Sequence, residues 1–578
     1  MLSKKQLLSQ IRQFFKNHEW TFIFIAAIAV FSIGLYGHCS YYKPHGIIEY
    51  LRMGYLTLQM FFLNSSIPPN EALLYSVVLS QIVAPVIFGY SAWKASMVLF
   101  RDQIKLLALR LWKNHIVICG LGEKGVRLAL EYISAGEKVV VIESDGENDD
   151  IPVCKNAGAI VLVGNATHSS MLKKARIEFS RCIYAISGDD STNIAVGYKI
   201  SSVIQKKKKK FISCYVHITD TAMRVLTAEQ DLFYAPVKGI DYEIINVNDI
   251  AARSLFENNH LDYKKIDHAS QVRVHLIISG FGGVGESVAL HSLHQGHFAN
   301  GKKIRLTIVD KDAKVKESFF RARYPGIELV ANVDFYDIEI GSNVFFDMLR
   351  EWSKESDTLM SVAFCLNNAN RNVSFSLTAR QYLQNIPVYV RLDQKAGAAA
   401  ILSLPNKDGE SSRLIPFGML NSLCTPDVIE KQSQDILART IYYDSREYKS
   451  DKYTGEEDNK GASWEFLDLA QKEYFRAEAD HIPVKLRAVG YSFSLNNPDS
   501  DNLREIEYLI KNVSGNVEMM AKMEYARECS YSLLFRNGFI GLHDGSSVPV
   551  SWEQLTMDRQ KYYISKIHKI PGHISKSV

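Results

Sequence analysis

Two short glycine clusters of the same spacing carry the chemistry of this chain. Gly120-Leu-Gly122-Glu-Lys-Gly125 follows the apolar run His115–Cys119, and Gly280-Phe-Gly282-Gly-Val-Gly285 follows the apolar residues 274–279. A strand, then GxGxxG, then a helix brings main chain close to a pyrophosphate at a helix N-terminus. An acid closes the next apolar run each time, Glu143 in the first copy and Asp310 in the second. An acid there bonds a ribose hydroxyl pair, which favours NAD or an adenine nucleotide over NADP. The second gap is longer and predicts a loop insertion near 296–302. Such turns also persist in doubly wound folds for packing alone, an alternative open for both copies and more so for the second. No acid/base set and no dehydrogenase-type substrate domain accompanies the glycines. The expectation is a regulatory nucleotide site without catalytic residues, not an enzyme.

The elements that must hold these turns fall into a multidomain plan. Residues 114–250 and 272–415 read as two Rossmann-like α/β domains, and 425–578 as a mostly helical domain. Residues 1–19 are a cytoplasmic N-terminus, 20–100 a helical two-span membrane domain and 101–113 a linker. Lys+Arg 67 against Asp+Glu 63 is too balanced for a duplex nucleic-acid binder. The cysteines show no CxxC and no Cys/His ligand spacing, so no metal site is expected and a reducing compartment is. Cys119 and Cys365 lie in apolar runs and read as buried, inert thiols. The run of lysines at 206–210 reads as a solvated loop, or as a contact with anionic lipid headgroups.

Residues 20–36 are apolar with an aromatic at each end, and 72–93 form a second stretch of bilayer length. Lysine and arginine flank both outer ends, which predicts a multi-pass inner-membrane protein with both termini cytoplasmic. Residues 53–66 are too apolar for a loop and predict a re-entrant or interfacial helix. Asn64 and Ser65, at its C-terminal end, are candidate pore residues. Gln81 and Pro85 in the second span are candidates for a pore-lining kink, or for simple packing.

Outer helix, re-entrant helix, inner helix and a cytosolic nucleotide module resemble the two-span potassium channels with regulator-of-conductance (RCK) domains. The filter motif Thr-Val-Gly-Tyr-Gly is absent, and Phe61-Phe-Leu-Asn-Ser-Ser66 stands in its place. The first α/β copy also resembles the Trk/Ktr-type nucleotide domain, through Gly164-Asn-Ala-Thr167 and Asp189-Asp-Ser-Thr-Asn193. That resemblance implies nucleotide-site roles for Gly120, Gly122, Gly125, Glu143, Gly164, Thr167 and Asp189. In the second copy the first of these motifs reads Ala331-Asn-Val-Asp334.

Farther on, Trp464-Glu-Phe-Leu467 precedes Arg476, Ala479, Ile482, Lys485 and Leu486, which resemble the bacterial ryanodine-receptor (RyR) repeat. Phe475 replaces the family's asparagine. A fainter second half runs through Met520, Arg527, Trp552 and Leu555, with Tyr525 and Glu528 replacing the family's histidine and tryptophan. The resemblance implies an RyR-repeat domain. Trp464, Arg476, His481, Lys485 and Trp552 would stack a base and hold a phosphate there. The plainer alternative places Trp464 and Trp552 in the core.

These readings combine into one expectation. The chain forms a homo-oligomer, a tetramer if it conducts, gated by a nucleotide or short oligonucleotide. The layout also resembles bacterial membrane effectors of antiviral nucleotide signalling. Two alternatives are a non-conducting, NAD-binding regulatory subunit of a transporter and a membrane-anchored NAD-dependent oxidoreductase.

Overall fold

The computed structural model describes residues 18–64, 75–204, 212–228, 239–383, 385–392, 414–430, 433–450, 464, 467, 469–491, 500–535 and 550–577. They fall into two compact units, Met1–Leu111 and Trp112–Val578.

In the first unit, helices Glu19–Tyr42 and Tyr75–Leu99 pack along one another. Both are long and apolar enough to cross a membrane. Phe24, Ile25, Ile28, Ile82 and Val86 are each more than half exposed, so apolar side chains cover the outside. The small and polar residues turn inward. A Cβ at Gly37 would run into Ser76 and Val77, and one at Gly34 into Thr57 and Ser80. His38 is buried, its Nδ1 3.1 Å from both the Gly34 carbonyl and the Thr57 hydroxyl. This packing carries the first helix to Tyr42, past the expected end at 36. At the other end of the pair, Lys94 forms an ion pair with Glu19, and Tyr90 donates to the same carboxylate.

The expected 53–66 helix begins earlier, as Ile47–Gln59, and runs into a tight turn at Met60–Phe62. Its inward stripe is Met53, Thr57 and Met60, the spacing of one helix face. Leu63, with φ 61°, ends it. Asn64 is exposed, whereas Ser65 and residues 72–74 of the expected second span lie outside the described residues. Gln81 and Pro85 sit half-buried in the Tyr75–Leu99 helix, one turn apart. Proline has no N–H, so the Gln81 carbonyl loses its in-helix donor at this point. The expected linker is helical over Arg101–Leu109, a segment without glycine or proline.

The second unit holds two six-stranded sheets, all of whose strands run parallel. The first comprises β1 His115–Cys119, β2 Val139–Glu143, β3 Ile160–Val163, β4 Ser180–Ala185, β5 Ile212–His217 and β6 Ile240–Ile245. The second comprises β7 Arg273–Ser279, β8 Arg305–Asp310, β9 Asn332–Asp337, β10 Thr358–Phe364, β11 Val388–Arg391 and β12 Leu414–Phe417. The order is β3-β2-β1-β4-β5-β6 and, equivalently, β9-β8-β7-β10-β11-β12. In both, the direction of winding reverses beside the strand that precedes the glycines, which is where open α/β sheets bind ligands. One equivalence drawn from sequence is corrected. Ala331–Asp334 leads into and begins β9, so it does not match the Gly164–Thr167 turn, which follows β3. The equivalent turn in the second copy is 338–342. The strand starts there because Val333 is needed in the core.

Helix Val247–Asn258 leaves the first sheet and packs on helix Gly283–Gln295 of the second. From Val284 to Gln295 only Glu286 is not buried. Its outer side is covered by the C-terminal helices Leu469–Ala488 and Ser514–Phe535. The docking is tight: a Cβ at Gly326 would stand 2.5 Å from the Leu533 carbonyl oxygen. The C-terminal helices share a core of their own with Trp464, Phe475, Met520, Tyr525, Trp552 and Tyr563.

Candidate nucleotide site

The first glycine turn is built for close approach. Gly120 has φ 105°, a conformation L side chains rarely adopt, and a Cβ there would meet Ser187 main chain at 2.7 Å. A Cβ at Gly125 would stand inside the contact radius of the Gly120 carbonyl oxygen, so helix Glu123–Ser134 can seat against β1 only with glycine there. Gly122 has the opposite character: nothing lies within 4 Å of where its Cβ would be. The helix it opens has no side-chain cap. Its first-turn N–H groups therefore face an open approach, the arrangement that favours an anion.

Glu143 is buried at the end of β2. Its Oε2 accepts from the Leu121 N–H (2.6 Å) and its Oε1 from the Asp145 N–H (2.9 Å). The carboxylate thus braces the glycine turn, and the Ser144 hydroxyl donates to its Oε1 as well (3.2 Å). The second copy repeats the brace. Asp310 accepts from the Phe281 N–H (2.8 Å) and the Asp312 N–H (3.1 Å). It also has Lys316 at 2.6 Å. Burial raises its pKa, and Lys316 with the two N–H groups outweighs that, for a net lowering. Gly280 (φ 95°) and Gly285 repeat the geometry of Gly120 and Gly125. The mouth of the second turn differs. The Asn248 amide lies 2.7 Å from a Cβ placed on Gly283, and the Asn367 side chain 4.0 Å from one on Gly282.

The other residues expected at the first site lie on the same carboxyl edge of the sheet, in supporting roles. Gly164 turns the chain after β3 with φ 153°. Thr167 donates from both its N–H and its hydroxyl to the Asn165 side chain, each at 2.8 Å. Asp189 caps helix Asp190–Val203, accepting from the Thr192 N–H (2.7 Å) and hydroxyl (2.6 Å). Asn193 ties the ends of two strands: it accepts from the Ser187 N–H (2.8 Å) and donates to the His217 carbonyl (2.9 Å). Asn372 does the same for Leu366 (3.0 Å) and Arg391 (3.0 Å) in the second copy. Sequence reasoning missed His217, Arg391, Asn248, Lys316 and Lys124. Lys124 sits inside the glycine motif itself and was the most findable; the ends of β5 and β11 leave no local mark.

The pocket expected in the C-terminal helices is corrected. Trp464 is fully buried, and both it and Trp552 belong to the apolar core. Arg476 is held by Asp435 (2.5 Å) and Glu473 (2.8 Å). Lys485 is 1% exposed and paired with Glu524 (2.5 Å), and His481 is fully buried with its Nε2 2.9 Å from the His297 carbonyl. Burial makes an unpaired charge costly, so these cations are matched within the chain. Among the described residues, these five share no lining in the cavities found.

Residues 116–223, from β1 into the segment after β5, match the TrkA-N domain model. This stretch is therefore TrkA-N-like. Potassium channel protein 1 of Methanocaldococcus jannaschii is 33% identical over 95 residues, covering 16% of this chain and 27% of that protein. The voltage-gated potassium channel Kch of Escherichia coli is 34% identical over 86 residues, covering 14% of this chain and 21% of that one. The chain therefore spans little more than a quarter of these relatives at most. Among solved structures, GsuK bound to ADP aligns at 14% identity over 71% of this chain and 97% of that one, with a TM-score of 0.37. The GsuK channel bound to NAD aligns at 12% identity over 72% of this chain and 84% of that one, also at 0.37.

Between the TrkA-N domain and the second copy lies a cavity of ≈ 360 Å³. Gly122, Lys124 and Gly188 line it from the TrkA-N side, and Asn367 and Arg391 from the other. Asn248, at the start of the connecting helix, completes the wall. Near it His217, 2% exposed, has no hydrogen-bond partner for either ring nitrogen among the described residues. Burial, and then nearby Lys124, push its pKa down to about 4 against the pull of Asp190 and Asp249.

Proposed function

We propose that this chain is a subunit of an oligomeric, ligand-gated membrane ion channel whose TrkA-N domain senses an adenine nucleotide or NAD on the cytoplasmic side. One observation carries the reading: an open, braced glycine turn shares a chain with a hairpin whose outside is apolar. Relatives of the TrkA-N segment that are named potassium channels support it. In this reading the hairpin spans the inner membrane with both termini cytoplasmic, and copies of it, four in the simplest ring, enclose the path. Ligand binding shifts a two-state equilibrium, and moving a gate from about 1% to 99% open takes roughly 5 kcal/mol of differential affinity, shared among copies. The helical Arg101–Leu109 segment is the mechanical connection between the units. The C-terminal helices, whose polar residues are committed to packing, act as a brace for the second copy.

The missing potassium-filter motif favours a second reading, a regulatory subunit that does not conduct by itself. Ion flux into liposomes holding only this protein decides between them. Nucleotide-dependent flux supports the channel, and its absence despite nucleotide binding supports the subunit. Nucleotide consumption coupled to redox turnover would overturn both in favour of an enzyme. A role in antiviral defence is tested by phage challenge of cells with and without the gene.

A further inference from the structure

We propose that the contact between helix Gly283–Gln295 and the C-terminal helices is an acid-released clasp, closed only while His294, His297 and His481 between them are uncharged. Its operation requires no nucleotide.

Each imidazole meets the opposing element. The His297 ring, just beyond the helix end, faces the His481 ring on Leu469–Ala488, with centroids 5.8 Å apart. His294 packs on Tyr531 and Phe535 of Ser514–Phe535, at 6.0 and 5.4 Å between centroids. Both His294 and His481 are buried. Around them Val484, Ala488, Met523 and Leu534 join one apolar core with the second sheet. That apolar contact holds the helices down at neutral pH.

A proton added to any of the three finds no acceptor. His481 Nε2 donates to the His297 carbonyl (2.9 Å), so a second proton would fall on Nδ1. His481 Nδ1, His294 Nε2 and His297 Nε2 are buried without a hydrogen-bond partner among the described residues, and Arg527 Nη1 is another such atom. Protonation would therefore create a buried, unsatisfied donor beside cations. The charges facing the cluster give no relief. Arg527 and Glu524 come from Ser514–Phe535, and Lys485 and Glu478 from Leu469–Ala488. Glu524 is held by Lys485 (2.5 Å), Arg527 (2.8 Å) and Lys566 (2.9 Å), and Glu478 by Lys566 (2.9 Å). On the helix itself His291 lies against His294, with centroids 5.6 Å apart. Asp249 of helix Val247–Asn258, which also acts on His294, is paired with Arg224 and accepts from the Ser287 hydroxyl (2.5 Å). Burial above all, and then the surrounding cations and imidazoles, keep all three below the ordinary histidine value, His297 at about 4.

Undocking returns these rings to water, where histidine titrates near pH about 6.5. Below that value the open form binds more protons than the closed one. Closure is therefore at full strength above pH about 6.5 and weakens as the pH falls toward about 4. At pH 5.5 the loss is about tenfold for each imidazole and about 1000-fold for the three together. Exposed carboxylates titrate below pH about 5, so the interval from pH 7.5 to 5.5 reports on histidine and not on Glu524 or Asp249.

Hydrogen–deuterium exchange of the full-length protein in detergent at pH 7.5 and 5.5, corrected for intrinsic rates, tests the clasp. Amides of Gly283–Gln295 and Leu469–Ala488 should lose about 100- to 1000-fold of their protection, with β10 still at least about tenfold better protected than they are at pH 5.5. The triple variant His294→Phe/His297→Leu/His481→Gln should lose less than about tenfold over the same interval. His481→Gln alone keeps a donor for the His297 carbonyl and should make the loss about tenfold smaller; it carries the test if the triple variant does not fold. Equal losses in wild type and His481→Gln overturn the clasp. So does a single common protection for these helices and β10 at pH 5.5, which would mean that acid opens the whole unit at once.

Discussion

Replacing His217 with phenylalanine should remove a defined share of the acid sensitivity of the TrkA-N sheet. The imidazole ends β5, is 2% exposed and has no described partner on either nitrogen. Burial and Lys124 hold its pKa at about 4 in the folded chain, against about 6.5 for a free histidine. Between these values the unfolded chain binds more protons than the folded one. The stabilisation is therefore complete above pH about 6.5 and drains away as the pH falls toward 4. A difference of about 2.5 pH units corresponds to about 3 kcal/mol, of which about 2 kcal/mol is gone at pH 5. Hydrogen–deuterium exchange of the amides of β5, corrected for intrinsic rates, measures this in the full-length protein at pH 7, 6 and 5. Wild type should lose about 30-fold more protection than His217→Phe from pH 7 to pH 5. Lys124→Met should lie between them, because it removes one of the groups that disfavour the imidazolium. If the two pH slopes agree within about 0.5 kcal/mol, the buried, uncharged imidazole is refuted.

Three further outcomes are expected. Glu524→Gln strands Lys485, Arg527 and Lys566, which lie 2.5, 2.8 and 2.9 Å from its carboxylate. It should destabilise the C-terminal helices by about 3–5 kcal/mol in urea unfolding, and Lys485→Met/Glu524→Met should recover only part of that loss, because Arg527 stays without its near carboxylate. Gly125→Ala places a methyl group against the Gly120 carbonyl; it should abolish ADP binding by calorimetry, with lost β1 amide protection reporting the displaced helix. Asp189→Ala removes a helix cap and not a ligand contact, so ADP affinity should change by less than about threefold.

Much of this architecture is written in local pattern. Each GxGxxG follows an apolar strand and precedes a helix, and both acids close the next strand, because a tight turn and a buried brace need those residue types at those places. The hairpin is legible for the same reason, since twenty apolar residues have few other uses. The His38–Thr57 contact inside it was not, because it joins residues 19 apart in sequence on different helices. The second glycine turn shows the limit most clearly. Its sequence is as good as the first, yet Asn248 from a preceding helix stands beside Gly283, a neighbour nothing in the motif announces.

The C-terminal helices teach the same lesson in reverse. Arg476, His481, Lys485 and two tryptophans have the composition of a ligand pocket, but composition does not say what each charge faces. Glu524, Asp435 and a carbonyl near the second sheet answer them once the helices dock. The sequence by itself determined the two nucleotide-type folds, the apolar hairpin and the backbone form of both glycine turns, since these rest on residues close together along the chain. Tertiary structure alone decided what stands beside each turn, how the C-terminal cations are paired and that Lys124 and Arg391 line one cavity. Burial and Coulomb energy depend on distance in space, and these partners are brought together only by folding.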